Sequence, residues 1–233
     1  MIVTTHQPIF LPWPGFFYKM LHADTMVLLD RVQFPLGRSW MTRNRVKSDK
    51  GELWLRVPVR RSRRGVQIIG DVEICNDTDW QSKHLRSLRD QYANAPCRDE
   101  HLPGVESVYA RGHRRLVDLN LDLIRYLRDA LGLECRLTLQ SDIGAVDGGT
   151  DLLVSICRRL GADTYVSLPI VEKHLDAQRF RTGGIELLFV RFNPPVYPQL
   201  WGDFRYNLST LDLLLNCGPK ATDIIGRSAP SAS

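Results

Sequence analysis

His6-Gln7-Pro8 stands at the end of a short β-branched run, Ile2 to Thr5, and Trp13, Gly15 and Lys19 follow closely. A neutral imidazole near pH 7 serves as acid or base, and when protonated it hydrogen-bonds a phosphate. A lone histidine is more often a packed structural ring, but here Gln7, Trp13 and Lys19 share its unit and favour a functional one. Lys19 is expected early in the next helix, where the dipole favours an anion, or else on a solvated helix face. Leu29-Asp30-Arg31-Val32-Gln33-Phe34 supplies a second set. Asp30 either orients a substrate hydroxyl or amine or pairs with Arg31 or Arg43, and Gln33 is expected beside the first loop. Trp40-Met41-Thr42-Arg43-Asn44-Arg45-Val46-Lys47 interleaves an aromatic with three cations and an amide. Such a segment clamps a phosphate or stacks a base, or is simply a solvated basic loop.

The elements that position these residues alternate between strand and helix. Ile2–Thr5 is a strand, Phe16–His22 a helix and Thr25–Asp30 a strand, a βαβ unit in about 30 residues. Parallel pairing of the two strands puts the loop from His6 to Gly15 at a carboxyl edge, where open α/β sheets form ligand clefts. Short strands at Leu53–Val59 and Val66–Ile74 flank Arg60-Arg61-Ser62-Arg63-Arg64-Gly65, which fits a hairpin insertion over about 51–75. Trp80–Tyr92 and Gly112–Leu131 read as helices, the second with a stripe of Leu116, Leu119, Leu123, Leu127 and Leu131. Cys135–Leu139, Thr164–Leu168 and Ile185–Phe192 read as strands, and Asp151–Leu160, the stretch around Glu172–Phe180 and Leu211–Cys217 as helices. The expected architecture is α/β: a mostly parallel open sheet with flanking helices, one domain over 1–226 with the hairpin insertion, and a flexible tail over 227–233.

Two later motifs carry polar groups. Ser209-x-x-Asp212 before Leu213-Leu214-Leu215 is a capping-box pattern, and Asn216-Cys217-Gly218 a helix stop. Tyr197 and Gln199 lie in a Pro-rich loop after a strand and are candidate binding residues at the ligand edge.

The chain has 233 residues, 43% of them hydrophobic, which excludes a disordered protein. No run of about 18 apolar residues is present, and no signal peptide is read, so a soluble cytoplasmic protein is expected, with no membrane partner. Net charge is +5, and only six of the 31 cations are lysines. An arginine bias suits an anionic small-molecule ligand, or merely reflects codon composition; nucleic acid is disfavoured at so modest a charge. The five cysteines form no CxxC pair, so neither a zinc site nor a disulfide framework is indicated, and no metal site is read. No cofactor is specified: a nucleotide stays open, as does magnesium held through its phosphates by Asp30 with His6. The oligomeric state is not encoded in any motif.

His6-Gln7-Pro8-x-x-Leu11-Pro12-Trp13-x-Gly15-Phe16-Phe17-x-Lys19, then Asp24, Leu29-Asp30-x-Val32-Gln33-Phe34 and Arg43-Asn44-Arg45-Val46-Lys47, resembles the WbqC-like protein family. Trp54-Leu55-x-Val57-Pro58-Val59, Trp80-x-x-x-His84, Tyr197-x-Gln199 and Leu208-Ser209-x-Leu211-Asp212 extend the likeness over nearly the whole chain. The family occurs mainly in bacterial surface-polysaccharide (O-antigen type) loci and in some other biosynthetic clusters. The resemblance implies a transferase acting on a nucleotide-activated or amino-sugar type substrate, forming an amide in one version, or a non-catalytic nucleotide- or sugar-binding accessory protein of the same pathway. As an enzyme it would use His6 for proton transfer, Asp30 to orient the acceptor, and Arg43 with Lys19 as phosphate clamp. Gln7, Trp13, Gln33, Trp40, Asn44, Tyr197 and Gln199 would complete substrate binding. The chain departs from the family pattern at Leu168-Pro169, where a Ser-Gly turn is usual, and keeps one serine near Ser141-Asp142 where a pair is usual. The opening also resembles HUP-type nucleotidylyltransferases at the level of fold, but Leu11-Pro12-Trp13-Pro14-Gly15-Phe16 lacks their second histidine.

Overall fold

The β-branched run at the N-terminus forms strand β1 (Ile2–His6), and Pro14, fixed near helical φ and needing no N–H partner, starts helix α1 (Pro14–Met20). A computed structural model describes residues 1–62 and 64–227. Strand β2 (Thr25–Leu28) runs parallel to β1, with Val3 opposite Thr25 and His6 opposite Leu28. An antiparallel hairpin follows, β3 (Arg43–Ser48) and β4 (Gly51–Arg56). Three helices come next: α2 (Trp80–Gln91), α3 (Arg98–Ala110) and α4 (Leu116–Ala130). The chain then returns to the sheet through β5 (Arg136–Leu139), the short α5 (Gln140–Ile143), α6 (Gly149–Leu160) and β6 (Thr164–Ser167). It ends with α7 (Ala177–Thr182), β7 (Glu186–Phe189), α8 (Thr210–Cys217) and α9 (Ala221–Gly226).

The main sheet is fully parallel, in the order β5-β2-β1-β6-β7. The chain builds outward from β1 on one side, then returns to build outward on the other. The order therefore reverses between β1 and β6, and the carboxyl ends of that pair splay apart into a crevice. Strand alternation divides two cores. Met26 and Leu28 face a large cluster that includes Phe16, Phe17, the leucines of α4 and those of α8. Val3 and Val27 face a smaller one with Leu152, Ile156, Cys157, Tyr165 and Phe180.

The hairpin lies at Arg43–Arg56 rather than about 51–75. Ser48-Asp49-Lys50-Gly51 closes it, with Gly51 at φ +104°, a conformation that costs glycine little. The described residues of 57–75 make only isolated bridges, Val59 with Ile74, Glu73 with Arg115 and Gln33 with Ile68, around a 3-10 turn at Ile69–Asp71. The arginines expected to turn that hairpin are drawn to separate partners. Arg60 reaches Asp77, Arg64 reaches Glu73, and Arg61 donates to the carbonyls of Pro35, Leu36 and Gly37.

Helices α3 and α9 were not expected. Pro103-Gly104 inside α3 masks the helical period, although Leu102, Val105, Val108 and Tyr109 are buried along it. The stretch around 172–180 splits into a 3-10 turn at Pro169–His174 and α7, whose start Asp176 caps by accepting from the N–H groups of Gln178 and Arg179. Of the tail expected at 227–233, only Arg227 lies within the described residues.

The segment joining β1 to α1 is buried throughout from Pro8 to Leu11, so its carbonyls need donors other than water. Asn120, fully buried on α4, donates to the carbonyls of Pro8 and Met41 at 2.7 and 2.9 Å. Asn44 on β3 donates to the carbonyl of Leu11 at 2.6 Å. The N–H of Thr210, at the start of α8, donates to the carbonyl of Pro12 at 2.7 Å. Replacing Asn120 with alanine strands two buried acceptors. Asn120→Ala is expected to lower the unfolding free energy by about 2–4 kcal/mol, read as an earlier midpoint in urea; an unchanged midpoint would show that these bonds hold nothing.

Candidate functional site

A cavity of about 480 Å³ opens at the sheet's reversal point. Thr5, His6 and Gln7 come to it from the end of β1, and Tyr165 and Ser167 from β6. Gly149, Leu152 and Leu153 form the wall on α6, and Leu168, Ile170 and Val171 the outer edge. A second cavity of about 350 Å³ is lined by His6, Ile9, Trp13, Trp40, Arg45 and Asn207. His6 and Trp13 belong to both, so the two chambers meet at these side chains.

Trp13 can divide the chambers because residue 15 is glycine. A Cβ there would lie 2.1 Å from the Trp13 ring, so any larger residue would push the indole off the first turn of α1. Phe192 packs edge-on against the same indole, with ring centroids 5.3 Å apart.

Lys19 is the central charge of the inner chamber. It is only 5% exposed, and Nζ donates to the carbonyl of Thr5 at 2.6 Å. Among the described residues it forms no ion pair. Burial without a counter-ion pushes its pKa down to about 7. Lys19 sits in the last turn of α1, not early in it, so the helix dipole expected to help it recruit an anion does not act there. What holds the ammonium is the Thr5 carbonyl at the end of β1.

His6 is half-buried and packs edge-on against Phe16. Its Nδ1 lies 2.8 Å from the carbonyl oxygen of Gln7, and an oxygen can only accept, so Nδ1 carries the proton and Nε2 keeps its lone pair. Burial first, and the neighbouring Lys19 charge second, push the His6 pKa down to about 3. The empty site at neutral pH thus presents an imidazole acceptor beside an amine poised between its charged and neutral forms. Tyr165 hydrogen-bonds Thr5 Oγ1 at 2.7 Å, and burial raises its pKa, so it stays a neutral phenol.

The residues singled out in the sequence divide into two groups. His6, Gln7, Trp13 and Lys19 line the inner chamber, and Trp40 joins His6 and Trp13 in the outer one. Asp30 lines neither: it is buried, and Oδ1 accepts from the N–H of Ser141 at 2.9 Å, which fastens the end of β2 to α5. It does not share a cavity with His6. Gln33 is exposed and bridges Ile68. Arg43 lays its guanidinium over the Trp54 ring, 4.5 Å from the centroid, and does not meet Lys19 in either chamber. Asn44 is spent on the carbonyls of Phe10 and Leu11. Tyr197 is buried and donates to Asp212 at 2.8 Å, while Gln199 makes two hydrogen bonds to the backbone of Arg205.

Ser209 caps α8 by accepting from the N–H of Leu211, as its motif implies. Asp212, however, turns inward to the Tyr92 and Tyr197 hydroxyls instead of back to the cap. Tyr165, Ser167 and Asn207 were not among the candidates, whereas Arg45 belongs to the basic segment already singled out. The one available signal was position, since Ser167 ends a strand just as His6 does. Nor does the arginine excess converge on the cleft: Arg60, Arg64, Arg111, Arg114, Arg115 and Arg179 are in surface ion pairs. Among the described residues, no group of three or more His, Cys, Asp or Glu could hold a metal ion. No helix among them is long and apolar enough to cross a membrane.

Residues 7–224 match the model of the WbqC-like protein family. The chain is 32% identical over 221 residues to "Uncharacterized protein Rv1507c" of Mycobacterium tuberculosis (strain ATCC 25618 / H37Rv), an alignment that covers 94% of this chain and 95% of that protein. No solved structure matches it.

Lys19 has its pKa lowered on folding, so the unfolded chain binds a proton that the folded one releases between about pH 7 and the ordinary lysine range. Folding stability should therefore rise with pH across that window, because the buried charge is lost there. Urea midpoints measured from pH 7 to 10 are expected to climb in the wild type and to climb less in Lys19→Met. Parallel profiles for the two proteins would mean that the ammonium is not held as described.

Proposed function

The chain belongs to the WbqC-like protein family, and on that premise we propose that it is a cytoplasmic transferase acting on a small anionic, nucleotide-activated or amino-sugar type substrate in glycan or natural-product assembly. The observation that carries this reading is the inner chamber itself: a buried ammonium without a counter-ion, beside an imidazole whose Nε2 is free to accept. An arriving phosphate or carboxylate supplies the missing counter-charge, raising the pKa of Lys19 and fixing it as a cation. It also raises that of His6, bringing the imidazole toward the range in which it can take a proton from an acceptor amine or hydroxyl. Lys19 is then the anion anchor, Gln7 and Ser167 are hydrogen-bonding groups of the wall, and His6 is the proton-transfer group. Asp30 acts only at a distance, by fixing the end of β2.

A binding protein without turnover is the second reading, and the depressed pKa of His6 favours it, because an imidazole at about 3 is a weak base in the empty site. The two readings separate by experiment. Wild type incubated with nucleotide-sugar or acyl donors and amino-sugar acceptors should give a product visible by mass spectrometry. His6→Ala should abolish that product while its melting temperature stays within a few degrees, and Lys19→Met should weaken pyrophosphate binding by about tenfold or more. Binding of pyrophosphate with no product from any pair would favour the accessory protein. Pyrophosphate affinity unaffected by Lys19→Met would overturn both.

A further inference from the structure

The outer chamber is built differently from the inner one. Its floor carries Trp40, 49% exposed, which packs against Trp54, 42% exposed, with centroids 5.7 Å apart and planes tilted by 30°. The guanidinium of Arg43 lies over Trp54 at 4.5 Å, and that of Arg45 at 5.9 Å. Both guanidiniums lie over Trp54, and Trp54 packs on Trp40, so the half-exposed Trp40 indole is held in place before any ligand arrives. Leaving that much indole in water costs stability, and a flat ligand covering it recovers the loss.

The rest of the lining fits the same occupant. Among the described residues no carboxylate lines the chamber, and its one cation, Arg45, is already paired with Glu52, so the lining is largely apolar and aromatic. Arg45 is fixed by Glu52 at 3.0 Å, and its Nε–H has no acceptor. Asn207 is held in the left-handed region, at φ +55°, which asparagine tolerates better than most residues. Its carboxamide presents one donor and one acceptor group, the combination that pairs with the edge of a heterocyclic base. At about 350 Å³ the chamber has room for a base and its ribose, and it meets the Lys19 chamber at His6 and Trp13.

We infer that the outer chamber is a base-stacking subsite, so that a nucleotide binds with its base on Trp40 and its phosphates directed past His6 and Trp13 to Lys19. This deepens the proposed function and rests on its reading of the inner chamber as the anion site. In that pose His6 stands beside the phosphate end of the nucleotide, where a transferred group would leave. Arg43 becomes a positioning residue that acts through Trp54.

Titration calorimetry with the four nucleoside 5′-monophosphates, against ribose 5-phosphate as the base-free probe, tests the assignment. Stacking predicts that at least one nucleotide binds about tenfold or more tighter than ribose 5-phosphate. Trp40→Ala should bring that nucleotide down to the sugar-phosphate level while leaving ribose 5-phosphate affinity unchanged, and Trp40→Phe should keep most of the gain. Equal affinity for nucleotides and ribose 5-phosphate in the wild type, or a gain that survives Trp40→Ala, overturns the subsite but leaves the anion site standing. Ribose 5-phosphate binding that is indifferent to Lys19→Met overturns the anion site instead. A wild type that binds neither probe overturns both.

Discussion

The carbonyls of a buried loop are the constraint on which this structure depends. The chain leaves β1 at His6 and passes through the interior before α1 begins, so every oxygen from Pro8 to Pro12 that water cannot reach needs a protein donor. Those donors come from three distant places: Asn120 on α4, Asn44 on the hairpin and the first N–H of α8. The hairpin, α4 and α8 are thereby tied to one short segment. That segment carries His6 and Trp13 at its two ends, so the same bonds that satisfy the loop fix the wall between the chambers.

A second constraint opposes the first. Lys19 is buried with a single carbonyl partner, which no consideration of stability would select, since burying an ammonium without a counter-ion disfavours its charged form. The molecule tolerates this because the surrounding core is large and the amine faces a cavity. Elsewhere charge is treated in the ordinary way. Arg114 and Arg64 share Glu73, Arg111 and His113 share Asp122, and Asp163 holds the amino terminus. Of the buried carboxylates, Asp212 accepts from two tyrosine hydroxyls and Asp30 from the N–H of Ser141. At the cleft, by contrast, His6 Nε2 and the remaining protons of Lys19 are left with capacity to spare.

The alternation of strand and helix was legible because its signal is local. β-branched runs of four or five residues, glycines past helix ends and the leucine stripe of α4 each lie within a few turns of chain. The hairpin was displaced because two neighbouring segments both read as strands around a turn, and only their pairing decides between them. The turn from Ser48 to Gly51 closes within four residues, whereas the arginines of the other segment are drawn to Asp77 and Glu73, 17 and 9 residues on. Asn44 and Asp30 looked like ligand residues for a related reason. An amide or carboxylate near a cleft has the same composition whether it meets a substrate or a backbone N–H.

By itself, the sequence determined the family, the α/β class and the motif loop from His6 to Lys19, since these reside in residue types and short spacings. Only the tertiary structure decided which polar residues are still free. Hydrogen-bonding capacity is used up by whatever lies nearest in space: Asn44, Tyr197 and Gln199 are consumed by backbone and by Asp212, while His6 and Lys19 are not. The reversal of strand order between β1 and β6 placed the residual capacity in one crevice, and that reversal depends on how strands pair across more than a hundred residues of chain.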